Sequence, residues 1–88
     1  MATVTVNADL SANPDKVTIR GGETVTWEGD QDFQIHLPAP YTNPRVGHNG
    51  TKWSGTSDSF PGKAEKYTVH YTITRGNQAH DPDIEVQP

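Results

Sequence analysis

The chain has 88 residues, which is enough for one small domain, residues 1–88, with a thin hydrophobic core. Only 31% of the residues are apolar and 20% are charged, a composition that favours a loop-rich globular domain over a disordered chain. The seven basic and eleven acidic residues give a formal net charge of -4 without a basic patch, which argues against nucleic acid as a partner.

The chain contains no cysteine, so disulfide bonds, thiolate metal sites and cysteine nucleophiles are excluded. The first ten residues, MATVTVNADL, lack the basic and apolar regions of a secretory signal. No apolar run approaches the roughly 18 residues of a membrane span. We therefore expect a soluble monomer without a signal peptide, and the sequence leaves its cellular compartment open.

Alternating apolar and polar residues, the pattern of a strand with one buried face, recur along the chain. Apolar residues nowhere recur with the spacing of an amphipathic helix. The predicted strands are TVTVN (3–7), DKVTIR (15–20), ETVTWE (23–28), DFQIHL (32–37), EKYTVHYTIT (65–74) and DIEVQ (83–87).

The second and third predicted strands are separated by Gly21 and Gly22. Both glycines can take a positive φ without strain, so this pair predicts a tight hairpin. The strand phase places four side chains of the hairpin on one buried face: Val17, Ile19, Val25 and Trp27.

Residues 38–64 hold four of the seven prolines and only scattered apolar residues. They are interpreted as a long connection with one short edge strand near residues 51–54. In the following strand, residues 65–74, the alternate side chains Tyr67, Val69, Tyr71 and Ile73 point inward, and His70 points outward. The pattern predicts an all-β fold, a Greek-key β-sandwich of two sheets with six to eight short strands.

Two segments, DKVTIRGGETVTWEGDQDFQIHLP and SFPGKAEKYTVHYTI, resemble the cupredoxin pattern of strand, glycine turn, ETVTW and a histidine closing the next strand. The terminal DPDIEVQ is similar to the last strand of that family. The resemblance covers residues 15–37 and 57–87 and implies a cupredoxin-like sandwich.

The resemblance also implies a copper site with one histidine at the place of His36, then a cysteine, a second histidine and a methionine before the last strand. A thiolate and two imidazoles with a weak axial ligand form the blue-copper centre. Here Tyr71 or Ile73 stands about where the cysteine belongs, and His80 lies near the axial position. Electron transfer through a type 1 copper site is therefore excluded, and we expect no cofactor.

His36 and His80 are the remaining candidates for a metal site. Two imidazoles and a carboxylate from Asp30, Asp32 or Asp81 would suit Cu²⁺ or Zn²⁺. The other interpretation, which we favour, is that His36 ends a strand and His80 lies in a turn, with the two rings apart. Sequence spacing alone fixes no distance between them.

Trp53 and Tyr41 are candidates for an exposed aromatic platform that binds a sugar or a peptide. The alternative for Trp53 is that it covers the open end of the thin core. Ser54, Ser57 and Ser59 lack the sequence context of a catalytic nucleophile, so no enzyme is expected. The sequence thus favours a non-catalytic cupredoxin-like binding or accessory domain with an unknown protein or small-molecule partner, and a Cu or Zn binder as the alternative.

The isolated protein should show no intense visible absorption and no reversible one-electron couple, because no cysteine thiolate is present to ligate copper. Visible spectroscopy and voltammetry after addition of Cu²⁺ check this expectation. An intense blue adduct of the unmodified chain would contradict it.

Overall fold

Short strands, and no helix, make up the regular structure of residues 2–88, the part of the chain that the computed structural model describes. Consequently no described helix is long and apolar enough to cross a membrane. The strands are β1 (Ala2–Val6), β2 (Ala12–Asn13), β3 (Lys16–Arg20), β4 (Val25–Gly29), β5 (Gln34–His36), β6 (Gly47–Asn49), β7 (Lys52–Thr56), β8 (Tyr67–His70), β9 (Thr72–Arg75), β10 (Gln78–His80) and β11 (Asp83–Gln87).

The first layer is a five-stranded sheet with the order β2-β1-β4-β7-β6. β1 runs parallel to β4, and β7 runs antiparallel to it. The strand expected near residues 51–54 is therefore present as β7, but it lies inside the sheet and not at its edge. The edge is β6, whose exposed Gly-His-Asn sequence carries no strand signal.

The second layer is built on two long antiparallel segments, β8–β9 and β10–β11, which together we call the ribbon. β5 lies beside β9, and β3 lies beside β11. Two three-stranded sheets, β3-β11-β8 and β10-β9-β5, share this ribbon. Arg75 pairs with Gln78 at one end and Tyr67 with Val86 at the other, in the same register throughout. The ladder is interrupted opposite Pro82, which has no N–H to donate. The predicted strand at 65–74 is thus divided at Tyr71 into β8 and β9.

The Gly21-Gly22 hairpin prediction is wrong. β3 pairs with β11 and β4 pairs with β1 and β7, so the chain crosses from one layer to the other at this turn. The Gly21 N–H donates to the backbone carbonyl of Gln87, in β11, at 2.9 Å, and the Gly22 N–H donates to the backbone carbonyl of Phe60. A Cβ on Gly21 would lie 2.3 Å from the Cα of Gly62. Glycine is needed here because two chain segments pack closely. The resulting Gly-Gly pair has the same sequence signal as a hairpin turn.

The core lies between the two layers, as the strand phase predicts. Trp27 from β4 and Tyr71 from the break in the ribbon are almost completely buried, with 0% and 2% exposure. Val17, Ile19 and Val69 are also buried, and His70 is exposed, with 79% of its side chain accessible. The all-β sandwich is confirmed, with more and shorter strands than expected.

One buried hydrogen bond joins the layers. Trp27 Nε1 donates to the Tyr71 hydroxyl at 2.9 Å, and the two rings meet edge to face with centroids 5.3 Å apart. Since an unpaired polar group in a core is costly, the Tyr71 hydroxyl oxygen supplies the acceptor that the buried Trp27 N–H requires.

Tyr71→Phe should lower the free energy of unfolding by about 1–3 kcal/mol, because it leaves the buried Trp27 N–H without an acceptor. Urea denaturation measures the change. Tyr41→Phe removes a half-buried hydroxyl that bonds to the Tyr67 hydroxyl, whose own bond to Pro61 O remains, so it should cost less, about 0.5 kcal/mol. Equal losses in both variants would contradict the role given to the Trp27–Tyr71 bond.

Burial raises the pKa of Tyr71 to about 12. In the unfolded chain a tyrosine titrates near its ordinary pKa of about 10, so the folded state holds the proton more tightly. This contribution to stability is complete below about pH 10 and is lost as the pH rises towards about 12. The free energy of unfolding should therefore fall over that range, and fall less steeply in Tyr71→Phe.

Candidate functional site

The two predicted metal ligands lie on either side of β9 and point in opposite directions. His36 on β5 pairs with Thr72, and His80 on β10 pairs with Ile73. Directly paired residues project from the same face of a sheet, whereas neighbours along a strand project from opposite faces. Thr72 and Ile73 are neighbours, so the two imidazoles leave the sheet on opposite sides.

Each histidine has its own partner. The exposed His36 ring has Nε2 3.0 Å from Thr74 Oγ1. His80 Nε2 lies 2.5 Å from Asp15 Oδ1, in the turn that precedes β3. Among residues 2–88, no group of three or more His, Cys, Asp or Glu side chains is arranged to hold a metal ion. The structure thus does not bring His36 and His80 together.

The positions that the resemblance assigns to the copper thiolate are core positions in this chain. Tyr71 and Ile73 are 2% and 0% exposed. Tyr71 takes part in the hydrogen bond with Trp27, and Ile73 packs in the main hydrophobic cluster. Both positions that the resemblance assigns to a thiolate are therefore occupied by packed side chains of the core.

Trp53 and Tyr41 both pack against the core as half-buried side chains, but they border different depressions. Trp53 covers one end of the sandwich, opposite Gly29, with its ring centroid 4.8 Å from that of His48. Tyr41 packs on Phe60 with ring centroids 5.2 Å apart. Each therefore has to be considered as a separate binding surface.

Two depressions border Tyr41, one of about 260 Å³ that also includes Asp58 and Ser59 and one of about 440 Å³, which we call the Tyr41 groove. Its polar groups are largely satisfied within the protein. The Tyr67 hydroxyl donates to Pro61 O at 2.5 Å, and Lys63 Nζ lies 4.5 Å from the centroid of the Tyr67 ring. Burial and a hydrogen bond with Tyr41 raise the pKa of Tyr67 to about 12. The groove is lined by Pro38, Ala39, Pro40, Tyr41, Lys63, Tyr67, Thr68, Val69 and His70.

The depression beside Trp53 has a different composition. We call it the Trp53 cleft; its volume is about 360 Å³, and Asp32, Phe33, Gln34, Pro44, Val46 and Trp53 line it. A second depression of about 260 Å³ adjoins it across the segment 32–34 and is bounded by Thr74, Arg75 and Gly76. Together they form a polar surface with one aromatic wall.

Gly55 lets the segment at residues 45–46 pack closely against β7. Gly55, paired with Trp27 on β4, leaves room for the chain to pass against β7, since a Cβ there would lie 2.9 Å from Arg45 O and 3.0 Å from a methyl of Val46. This close approach brings Val46 beside the cleft. Sequence reasoning missed it, because a single glycine inside a strand does not show which segment packs on it.

Asp32 and Gln34 form one side of the Trp53 cleft, which we call the polar wall. Asp32 and Gln34 are exposed and lie on either side of the buried Phe33. No hydrogen bond within residues 2–88 involves the Asp32 carboxylate or the Gln34 amide. A carboxylate that accepts and an amide that both donates and accepts are therefore available to a ligand.

Arg75 holds the polar wall in place. Its Nε donates to Asp32 O at 2.7 Å and its Nη1 to Ala8 O at 2.8 Å, so the guanidinium ties β9 to two loops. The buried Nη2 has no hydrogen-bond partner among the described residues. Nothing in the sequence indicates this role, since a lone arginine beside Gly76 predicts only a turn.

Comparison with known proteins shows the fold. No protein-family model matches the chain, and no curated protein matches it significantly. Among solved structures, a Cu(I) form of an amicyanin mutant matches over 97% of this chain and 82% of its own, with a TM-score of 0.62 and 17% identity. Amicyanin is a cupredoxin. The present chain has a cupredoxin-like fold.

A second neighbour shows that this architecture does not determine function. A cysteine protease inhibitor from Entamoeba histolytica matches over 99% of this chain and 95% of its own, with a TM-score of 0.52 and 12% identity. One neighbour is thus a copper protein and the other a protease inhibitor. Function has to be argued from the surface of this chain.

Arg75→Met should lower the free energy of unfolding by about 2 kcal/mol, because two charge-assisted hydrogen bonds to loop carbonyls are lost. Amide hydrogen exchange should also accelerate in residues 7–10 and 30–33. Arg45→Met, at an exposed position, is the matched control and should leave both properties near those of the parent. If the two variants behave alike, Arg75 does not hold the loops.

Proposed function

We propose that this chain is a non-catalytic binding domain with a cupredoxin-like fold, without a type 1 copper site, and that it binds its ligand at the Trp53 cleft. The observation that carries the proposal is the pair of unpartnered side chains, Asp32 and Gln34, beside the half-buried Trp53 indole. Binding sites combine apolar contact area with a few polar groups that orient the ligand.

The Tyr41 groove is a weaker candidate. Its hydroxyl groups are engaged with each other and with Pro61 O, so fewer groups remain to give a ligand a fixed orientation. In this proposal Tyr41 covers part of the core, and Trp53 contacts the ligand.

The hydrogen bonds of the histidines support a non-catalytic role. His70 and His80 bond to Asp83 and Asp15, and neither bonds to a hydroxyl nucleophile. His36 does contact Thr74 Oγ1, but no described carboxylate bonds to the other nitrogen of that ring. An activated nucleophile requires a base that a third group orients.

The alternative of a Cu or Zn site shared by His36 and His80 gains no support from the geometry. Both imidazoles would have to reach a metal at about 2.0–2.1 Å, and they leave the β10-β9-β5 sheet from opposite faces. A shared mononuclear site would require β9 to be displaced.

His36→Asn should change the free energy of unfolding by less than about 1 kcal/mol, the range for an exposed polar substitution. Titration of the parent with Zn²⁺ or Cu²⁺, followed on the histidine ring signals, should give no common site. Micromolar binding that is lost in both His36→Asn and His80→Asn would replace the present proposal with the metal-binding alternative.

A fragment screen tests the ligand site without knowledge of the ligand. Small polar and aromatic fragments bind preferentially where a protein binds its own ligands, because such sites already combine shape with unpaired polar groups. Chemical-shift changes from the hits should cluster on the amides of residues 32–34 and on the Trp53 indole N–H. Hits that cluster at Tyr41 and Tyr67 would overturn the assignment.

A further inference from the structure

We infer that the ligand of the Trp53 cleft is a neutral saccharide that stacks on the Trp53 indole and bonds through its hydroxyl groups to Asp32 and Gln34. The inference rests on the proposed function and adds the chemical class of the ligand. It follows from the charge of the cleft, from its hydrogen-bonding groups and from the half-buried indole of Trp53.

The charges around the cleft favour a neutral ligand. The residues that line the cleft and its adjoining depression include one acid, Asp32, and one base, Arg75. Two of the guanidinium nitrogens already donate to loop carbonyls. One acid and one base leave the cleft without net charge, so neither an anion nor a cation gains a net attraction that would offset its loss of hydration. A neutral ligand has no charge to desolvate.

The hydrogen-bonding groups match hydroxyl groups. The Asp32 carboxylate only accepts, and the Gln34 amide both donates and accepts. Each sugar hydroxyl donates once and accepts, so neighbouring hydroxyls can donate to the carboxylate and exchange hydrogen bonds with the amide. The adjoining Thr74 hydroxyl, 3.0 Å from His36 Nε2, extends the row of polar groups.

The aromatic wall provides the complementary apolar contact. One face of a pyranose ring carries only C–H groups, which are slightly positive and favour the negative face of an aromatic ring. Trp53 is half-buried and held by packing against the core, so little rotamer freedom is lost when a ligand stacks on it. A rigid indole at the end of the sandwich is suited to this contact.

A peptide fits the same cleft less well. Peptides bind extended along a sheet edge through backbone hydrogen bonds, or as proline-rich segments in aromatic-lined grooves. The cleft offers one indole and exposed polar side chains, and it is bordered by Pro44, which has no N–H to donate. Its volume of about 360 Å³ lies in the range of small-molecule sites.

The test uses the intact chain and five probes: cellohexaose, maltohexaose, xylohexaose, mannohexaose and chitohexaose. Each is titrated at millimolar concentration while the Trp53 indole N–H and the Gln34 side-chain amide are followed by NMR. At least one probe should give saturable shifts at both groups. No saturable shift with any of the five would overturn the inference, as would saturable shifts confined to Tyr41 and Tyr67.

Matched variants separate contact with the ligand from folding. Asp32→Asn and Gln34→Ala should weaken binding of the active probe about tenfold while leaving the fold unchanged, because both side chains are exposed. Asp58→Asn and Gln78→Ala, also exposed and outside the cleft, should leave the affinity unchanged.

The aromatic variants test the stacking contact. Trp53→Leu should abolish binding, whereas Tyr41→Leu, which changes another half-buried aromatic residue on the core, should retain it. Equal effects in cleft and control variants would overturn the inference.

The fragment screen distinguishes the two levels of the proposal. Fragment hits at the cleft together with inactive saccharides would refute the saccharide class and leave the cleft as the ligand site. A peptide selected from a random library whose binding depends on Asp32 and Trp53 would likewise refute the saccharide class and retain the cleft. Fragment hits elsewhere would refute the site itself.

Discussion

The hydrogen bond from Trp27 Nε1 to the Tyr71 hydroxyl is the contact on which the sandwich depends most. It lies between the five-stranded sheet and the ribbon, at the residue where the ribbon ladder is interrupted opposite Pro82. Both side chains are large and buried, so they supply much of the apolar area of a small core. The same arrangement places an aromatic side chain where the cupredoxin resemblance implies a metal-binding thiolate.

This constraint links the fold to the proposed function. Because the region between the layers is packed, a ligand has to bind at the ends or faces of the sandwich, where loops meet. At the end that Trp53 covers, Arg75 ties the loop carrying Asp32 to β9 and to the loop at residues 7–10. A rigid polar wall beside an aromatic ring is what distinguishes this end from the Tyr41 groove.

The alternation of apolar and polar residues predicted which side chains form the core and which face outward. Alternation placed Trp27, Val17, Ile19, Val69 and Tyr71 inward and His70 outward, because a period of two residues in each strand determines which face is buried. Partner choice was not predictable in the same way. Gly21 and Gly22 have the signal of a hairpin, yet they carry the chain between layers, since the pairing of β3 with β11 depends on residues more than sixty positions away.

The candidate site was predicted only in part. Trp53 was recognised from its residue type, and the interpretation that it covers the open end of the core agrees with its packing. The wall that faces it was missed, because the close approach at Gly55 and the two bonds of Arg75 are long-range contacts without a local pattern. Asp32 was noted only as a possible metal ligand, a role that depended on the convergence of two histidines.

The central claim is that a ligand of this domain touches Trp53, and intermolecular nuclear Overhauser effects measure that contact most directly. Spectra of the protein with a bound fragment or oligosaccharide should show effects between ligand protons and the protons of the Trp53 ring and the Gln34 amide. Effects confined to Tyr41 and Tyr67, with none at Trp53, would contradict the account.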